Sequence, residues 1–414
     1  MAQRLDGKTV VLGVSGGIAA YKAAELVREL TRAGARVRVM MTPAAQQFIT
    51  PLTLQTLSGH PVATDTFDLT QESQIGHIQL TDGADAVLIA PATANIIGKI
   101  AHGLGNDVVT TVLLATRAPV LLAPAMNVHM WENPLVQANI ERLRAHGFRV
   151  IDPGEGSLAC GWEGKGRLPD AEVLVAEIER AVTPLDLRGE RVLVTAGPNR
   201  EPIDPVRFIS NRSTGKMGFA VAAAAWRRGA EVTLIAGPTA LPTPHGVRRC
   251  DVSTAEEMRQ AVLAEFDAAT VILMAAAVAD YRPQRVARDK LKKGSGGLSI
   301  ELDRTVDILK ELGPRKGTRV LVGFAAETEQ VIGNAERKLT EKDLDLIVAN
   351  DVAGTQTGFA VDTNAVTIID RSGRHEAVPL MTKQEVADRI LDRVVALKRQ
   401  ASVAVVGSGT ARSA

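Results

Sequence analysis

Short apolar runs alternate with amphipathic stretches along most of the chain. Residues 9–14 form an apolar run, followed by Ser15-Gly16-Gly17 and a stretch of helical spacing over 18–33. Gly34 stops that helix, and 36–41 reads as the next strand. Further strands are predicted at 85–90 and 120–123, with a helix over 106–116 between them. Each of these two strands runs into a proline-containing turn, at Pro91 or Pro124. Continuous apolar strands suit a parallel sheet buried on both faces. In such open sheets ligands bind beyond the carboxyl ends of the strands. The loops at 13–17, 42–44, 91–95 and 124–127 are therefore the expected site.

The helical pattern stops at a Pro- and Gly-containing linker over 183–189, and a second series begins. Its predicted strands are 191–196, 231–236, 270–275, 319–324 and 345–350, with a long polar loop over 197–214 and a helix over 216–228. Residues 364–370 and 375–379 flank Arg371-Ser372-Gly373 as a β-hairpin, and a last helix covers 383–399. The expected fold class is α/β, with two Rossmann-like three-layer domains. Their bounds are 1–186 and 187–400, and the small-residue tail 401–414 is expected to be disordered.

Composition narrows the function. The chain has 414 residues, enough for two or three domains at roughly 100–200 residues each. Its 48 Lys+Arg balance 47 Asp+Glu, which gives no footprint for nucleic acid or an anionic membrane. Aromatics make up only 3%, too few for a base-stacking surface. No apolar run approaches the roughly 18 residues of a membrane span, and no signal peptide is expected. Two cysteines cannot build a disulfide framework, so a reducing cytoplasm is the expected setting.

Several strand-end segments carry candidate chemistry. Gly13-Val14-Ser15-Gly16-Gly17 leads from a strand into a helix, either as a phosphate-binding turn or as a plain tight turn. Pro91-Ala92-Thr93-Ala94-Asn95 and Pro124-Ala125-Met126-Asn127 combine small residues, which admit a flat ligand, with Thr and Asn for its polar edge. Helix capping is the alternative use of the same Thr and Asn. His77 is a candidate proton handler. Cys160 lies in a segment with five glycines over 154–166 and reads as a working thiol on a mobile flap, whereas Cys250 reads as packing.

These segments, with the Gly-His-Ile around His77 and the Ala-Cys-Gly of the flap, resemble the flavin-containing cysteine decarboxylases. The resemblance implies a trimeric FMN domain with Ser15, Gly16, Gly17, Thr42, Pro91, Thr93, Ala94 and Asn95 around the cofactor. It also implies a route. FMN oxidises the thiol end of a C-terminal cysteinyl group to a thioaldehyde, and CO2 leaves to give an enethiolate. Hydride then returns, and Cys160 gives the proton. His77 is the implied catalytic histidine, and Asn127 the implied holder of the substrate carboxylate.

In the second half, Ser213-Thr214-Gly215-Lys216 is followed by Met217, so it is not the GxxxxGK[ST] phosphate loop. Absence of GxGxxG argues against an NAD(P) enzyme. Lys290, Lys292 and Lys293 form either a solvated surface or a phosphate clamp. Lys338 and Lys342 are spaced to share one helix face. The Thr-Ala-Gly-Pro at 195–198, the 210–218 segment, 277–283, 290–293, 323–327 and Asn350-Asp351-Val352 resemble the CTP-using bacterial phosphopantothenate–cysteine ligases.

That resemblance implies that the carboxylate of 4′-phosphopantothenate attacks CTP to give an acyl-cytidylate, from which cysteine displaces CMP. Asn211 contacts the intermediate and Lys290 assists. Met274, Ala275, Ala276, Asp280, Asp307, Ile308, Phe324, Lys338 and Lys342 surround the nucleotide, with Mg2+ on its phosphates and no assigned metal ligands. Thr305-Val306 stands where relatives carry Asn-Pro, which leaves Asp307 and Ile308 as the carried-over positions. Together the two resemblances imply a bifunctional enzyme of coenzyme A biosynthesis. Ligase dimers and flavin-domain trimers would close into a homo-dodecamer. An intact Cys160 flap beside a full ligase half argues against a purely regulatory flavoprotein.

Overall fold

The computed structural model describes residues 4–66, 80–157, 161–293, 297–327, 329–351, 358 and 361–409. The chain divides into two compact units, Met1–Thr183 and Pro184–Ala414. The boundary falls three residues before the expected one. Arg228 explains this: its guanidinium pairs with Asp186 at 2.7 Å, and its carbonyl accepts the Leu187 N–H at 3.0 Å. Residues 186 and 187 are thereby tied to the second unit.

The first unit has a parallel sheet of β1 (Thr9–Val14), β2 (Arg36–Met41), β3 (Ala86–Ala92), β4 (Val120–Pro124) and β5 (Arg149–Val150), in the order β2-β1-β3-β4-β5. Side chains alternate between two cores. On β1, Val10, Leu12 and Val14 join one face with Leu26, Leu30 and Ile178, while Val11 joins the other with Ile97, Val109 and Ile140. Burial of each such side chain contributes about 1.5–3 kcal/mol, so helices on both faces are what the strand sequences require. The expected helix over 18–33 is a 3-10 turn, Ile18–Lys22, followed by the α-helix Ala23–Arg32.

The flap is not a free loop along its arms. β6 (Gly154–Ser157) and β7 (Glu163–Arg167) pair antiparallel. Glycines there serve backbone geometry: Gly156, Gly164 and Gly166 all have φ between +143° and +151°.

The second unit has an eight-stranded sheet. Its strands are β8 (Arg191–Ala196), β11 (Glu231–Ala236), β12 (Arg248–Asp251), β13 (Val271–Met274), β16 (Val320–Glu327), β17 (Leu346–Asp351), β18 (Thr363–Asp370) and β19 (His375–Thr382). The order is β12-β11-β8-β13-β16-β17-β18-β19, parallel up to β17 and antiparallel beyond it. The order reverses between β8 and β13, as in a dinucleotide-binding sheet. The expected polar loop over 197–214 contains a hairpin, β9 (Arg200–Pro202) with β10 (Phe208–Ser210). A second hairpin joins β14 (Tyr281–Pro283) and β15 (Leu302–Arg304). Cys250 is a half-buried free thiol on β12, packed on the core as expected. The last helix runs Lys383–Gly409, beyond the expected end at 399, and residues 410–414 lie outside the described residues. Residues 401–406 contain no proline or glycine to stop it.

Candidate functional sites

The first unit reverses its strand order between β1 and β3, and a cavity of about 830 Å3 opens there. Its wall includes Ser15, Gly16, Gly17, Thr42, Pro91, Thr93, Ala94, Asn95 and Asn127, drawn from the four loops expected from the sequence. Ser15 is 1% exposed, donates from Oγ to the Pro91 carbonyl at 2.7 Å and accepts the Thr93 N–H at 3.1 Å. That pair of bonds ties the β1 and β3 loops together across the switch point. Gly16 is required by approach: a Cβ there would lie 2.4 Å from Ala44 Cβ. Thr93 and Asn127 also cap helices, accepting N–H bonds from Ile96 and His129 at 3.5 and 2.8 Å. Both therefore cap helices while lining the cavity.

His77 and Cys160 lie outside the described residues. The described arms of the flap make two contacts. Met126 N–H donates to Gly166 O at 2.9 Å, joining the flap to the loop that carries Asn127. Trp162 packs edge-on against His129, with centroids 4.8 Å apart.

Sequence reasoning missed the Lys99–Asp107 pair on this cavity wall, 2.9 Å apart. Burial pushes the Asp107 carboxyl up, but the Thr110 N–H and Lys99 outweigh it, and its pKa ends below the usual value. Lys99 in the last turn of the helix Ala94–Ala101 and Asp107 as the cap of the helix Val108–Ala115 were the available signal.

The second cavity, about 490 Å3, lies at the β8/β13 switch point. Asn211, Met274, Ala275, Ala276, Asp280, Asp307, Ile308, Phe324, Lys338 and Lys342 all line it. Thr305 and Val306 line it as well, despite the missing Asn-Pro. Asn211 Nδ2 donates to the Ala277 carbonyl at 2.9 Å, which fixes its amide at the β13 end. Lys338 and Lys342 are each paired, with Glu327 at 2.6 Å and Asp307 at 2.8 Å. Their charge is thus already balanced in part.

Lys290 is the exception. It is exposed on the β14–β15 connection and does not line the cavity. The segment is held instead by the 203–207 turn, through the Ala287 and Leu291 N–H groups.

Two cavity residues had no motif to announce them. Lys383 is 5% exposed and donates to the Gly358 and Val361 carbonyls. Burial and the neighbouring Lys216 lower its pKa to about 8, against the pull of Asp362. Asn364 is 3% exposed, and its Oδ1 has no hydrogen-bond partner among the described residues. Lysine at a helix start opposes the helix dipole, which was the one hint in the sequence. Among the described residues no cluster of three acidic, His or Cys side chains could hold a metal, and no helix is long and apolar enough to cross a membrane.

Comparison with known proteins agrees with this division. Residues 1–183 match the Flavoprotein family, and residues 187–397 match the DNA/pantothenate metabolism flavoprotein C-terminal domain. The coenzyme A biosynthesis bifunctional protein CoaBC of Bacillus subtilis is 50% identical over 400 residues, covering 96% of this chain and 98% of that protein. Its Escherichia coli K12 counterpart is 48% identical over 396 residues, covering 94% and 97%. A crystal structure of a CoaBC C-terminal domain is 45% identical and covers 52% of this chain and 98% of that one, with a TM-score of 0.45. Identity of 48–50% over nearly the full length of both units means that the chain belongs to the bifunctional CoaBC family of coenzyme A biosynthesis flavoproteins.

Proposed function

We propose that the second unit ligates cysteine to 4′-phosphopantothenate with CTP, and that the first unit decarboxylates the product to 4′-phosphopantetheine with FMN. One observation carries the reading. Two residue sets, taken from separate motifs, each line one cavity at the switch point of their own sheet, with Lys290 off the second cavity and His77 and Cys160 outside the described residues.

FMN fits the first cavity by its donor set. Gly16 and Gly17 allow backbone contact, Thr42, Thr93 and Asn95 offer hydrogen bonds, and Ser15 braces the two loops behind them. When bound, it supplies the hydride acceptance and return that the redox-neutral decarboxylation needs. The chain's own residues do the rest. Asn127 orients the substrate carboxylate, so that CO2 leaves into an apolar pocket. His77 handles a proton near neutral pH. Cys160 gives a proton to the enethiolate carbon and is reprotonated from solvent. Flap arms that pair as a hairpin keep water out while this occurs.

In the second cavity, the substrate carboxylate oxygen attacks the α-phosphorus of CTP and pyrophosphate leaves. Cysteine nitrogen then attacks the acyl carbon, CMP leaves, and the amine proton goes to solvent. Asn211 holds the acyl-cytidylate, and Met274 to Ala276 form the base pocket. Asp280, Phe324, Lys338 and Lys342 contact the nucleotide, and Lys290 assists. Mg2+ accompanies the phosphates with few protein ligands.

The reading includes a cytoplasmic homo-oligomer, built as a dodecamer. Support comes from Phe208, Tyr281 and Leu302, large apolar side chains left exposed on the two small hairpins. Incubation with 4′-phosphopantothenate, cysteine, CTP and Mg2+, followed by mass analysis, tests the activities. 4′-Phosphopantetheine, CMP and pyrophosphate are expected, with a flavin absorption spectrum on the purified protein. Equal ligation with ATP would refute the nucleotide assignment. Sedimentation tests the assembly.

A further inference from the structure

Asp204 accepts five hydrogen bonds among the described residues, and it lies within the polar loop over 197–214 with no role assigned to it. Its side chain is fully buried. Oδ1 accepts the N–H groups of Val206 and Arg207, both at 2.8 Å, which closes the turn between β9 and β10. Oδ2 faces the other way. It accepts Arg207 Nε and Nη2 at 3.0 and 2.5 Å, and the Leu291 N–H at 3.1 Å. Arg207 Nη2 also donates to the Leu291 carbonyl at 2.7 Å. Both polar groups of Leu291 are thus held by one ion pair. Four residues earlier, Ala287 N–H donates to the Ile203 carbonyl at 3.0 Å. The span that carries Lys290 is therefore fastened at both ends to the 203–207 turn.

That turn leads through β10 directly into Asn211. Lys290 is exposed and held by no cavity wall, so this clamp is what sets its backbone relative to Asn211. We propose that Asp204 is a positioning residue of the ligase reaction, holding the Leu291 peptide and so keeping Lys290 in register with Asn211. The proposal rests on the reading that Lys290 acts in ligation. Charge-assisted bonds of this kind fix geometry better than neutral ones. Arg207 first, then the turn N–H groups, keep the Asp204 carboxyl far below its ordinary pKa, so the clamp is ionised throughout the working range.

Asp204→Asn in the full-length protein separates the two halves of the carboxylate. The amide oxygen can still close the turn through Oδ1, while its NH2 group meets three N–H donors in place of Oδ2. The ligase kcat should fall at least about tenfold, with KM for CTP changed less than about threefold. Melting temperature should fall, because Arg207 loses its buried counter-charge, whereas decarboxylation of supplied 4′-phosphopantothenoylcysteine should stay at the wild-type value. The double variant with Lys290→Gln should be no slower than Lys290→Gln alone, and both should impair the same half-reaction.

Wild-type ligation by Asp204→Asn beside an impaired Lys290→Gln would overturn the positioning role and leave the Lys290 reading standing. Wild-type ligation by Lys290→Gln would remove that reading, and the inference with it. Multiplying losses in the double variant would also overturn it. Hydrogen exchange on the unmutated protein gives an independent check, since the Leu291 amide should be protected; exchange as fast as a free loop would count against the clamp.

Discussion

The backbone of Gly166 lies directly against the backbone of Met126. A Cβ on Gly166 would sit 2.2 Å from Met126 O, while Met126 N–H donates to Gly166 O at 2.9 Å. Gly166 also has φ +151°, a region open to glycine and strained for other residues. Gly166→Ala should therefore push the flap off the loop that carries Asn127. Decarboxylase kcat is expected to fall at least about tenfold, in line with the sensitivity of positioned groups to shifts near 1 Å. Ligation by the same protein should stay within about twofold. Separate assays of the two half-activities check this, and equal losses would contradict it.

Gly218 plays the matching part in the second unit. A Cβ there would lie 2.5 Å from Ala196 Cβ and 2.8 Å from Thr195 O, so the helix Lys216–Arg227 can sit on β8 only without that atom. Gly218→Ala should lift the helix start, including the Gly215–Met217 wall of the cavity. The expected result is a KM for CTP raised about tenfold or more, with a destabilisation of about 1–3 kcal/mol from overpacking. Steady-state kinetics and thermal melting read the two effects. Unchanged decarboxylation separates them from general misfolding.

These two glycines mark what was legible in the sequence. Apolar runs gave β1, β8 and β11 to the residue, because a strand buried on both faces leaves a continuous signature. The hairpin within 197–214 was hidden. Its strands are three residues each, and two prolines between Glu201 and Val206 look like loop punctuation. Cavity residues carried by motifs were readable, and Lys99, Lys383 and Asn364 were not. Their roles come from burial and neighbours distant in sequence, which no local pattern records. Lys290 shows the reverse limit: a motif assigns it, but only the clamp by Asp204 and Arg207 says how it is held.

Asp107 links a helix cap to the first cavity. Its Oδ1 accepts the Thr110 N–H at 2.9 Å, and its Oδ2 pairs with Lys99 at 2.9 Å. Asp107→Ala removes both, and about 1–3 kcal/mol of stability should go with them. The carboxyl pKa lies below its ordinary value in the folded state. Its contribution is thus present above the unfolded carboxyl pKa and is lost as pH falls through the lower folded value. Wild type should lose stability against Asp107→Ala only in that acid range. Melting followed by flavin fluorescence between pH 3 and pH 7, roughly the span of carboxyl titration, measures the difference.

Lys383 predicts a pH effect at the other end of the scale. Its pKa is lowered from 10.5 to about 8, by burial first and by Lys216 second. Between those values the folded protein binds fewer protons than the unfolded chain, so this group makes folding more favourable as pH rises. A loss of ligase function in that window cannot then be unfolding driven by Lys383. What does change is charge, since the cavity proposed to take the nucleotide loses a cation from its wall. KM for CTP should rise about three- to tenfold as pH climbs through about 8, the scale of one charge-assisted contact. Lys383→Met should show a raised KM without that inflection, and the decarboxylase should show none in either protein. An inflection that survives in Lys383→Met would assign the titration to another group.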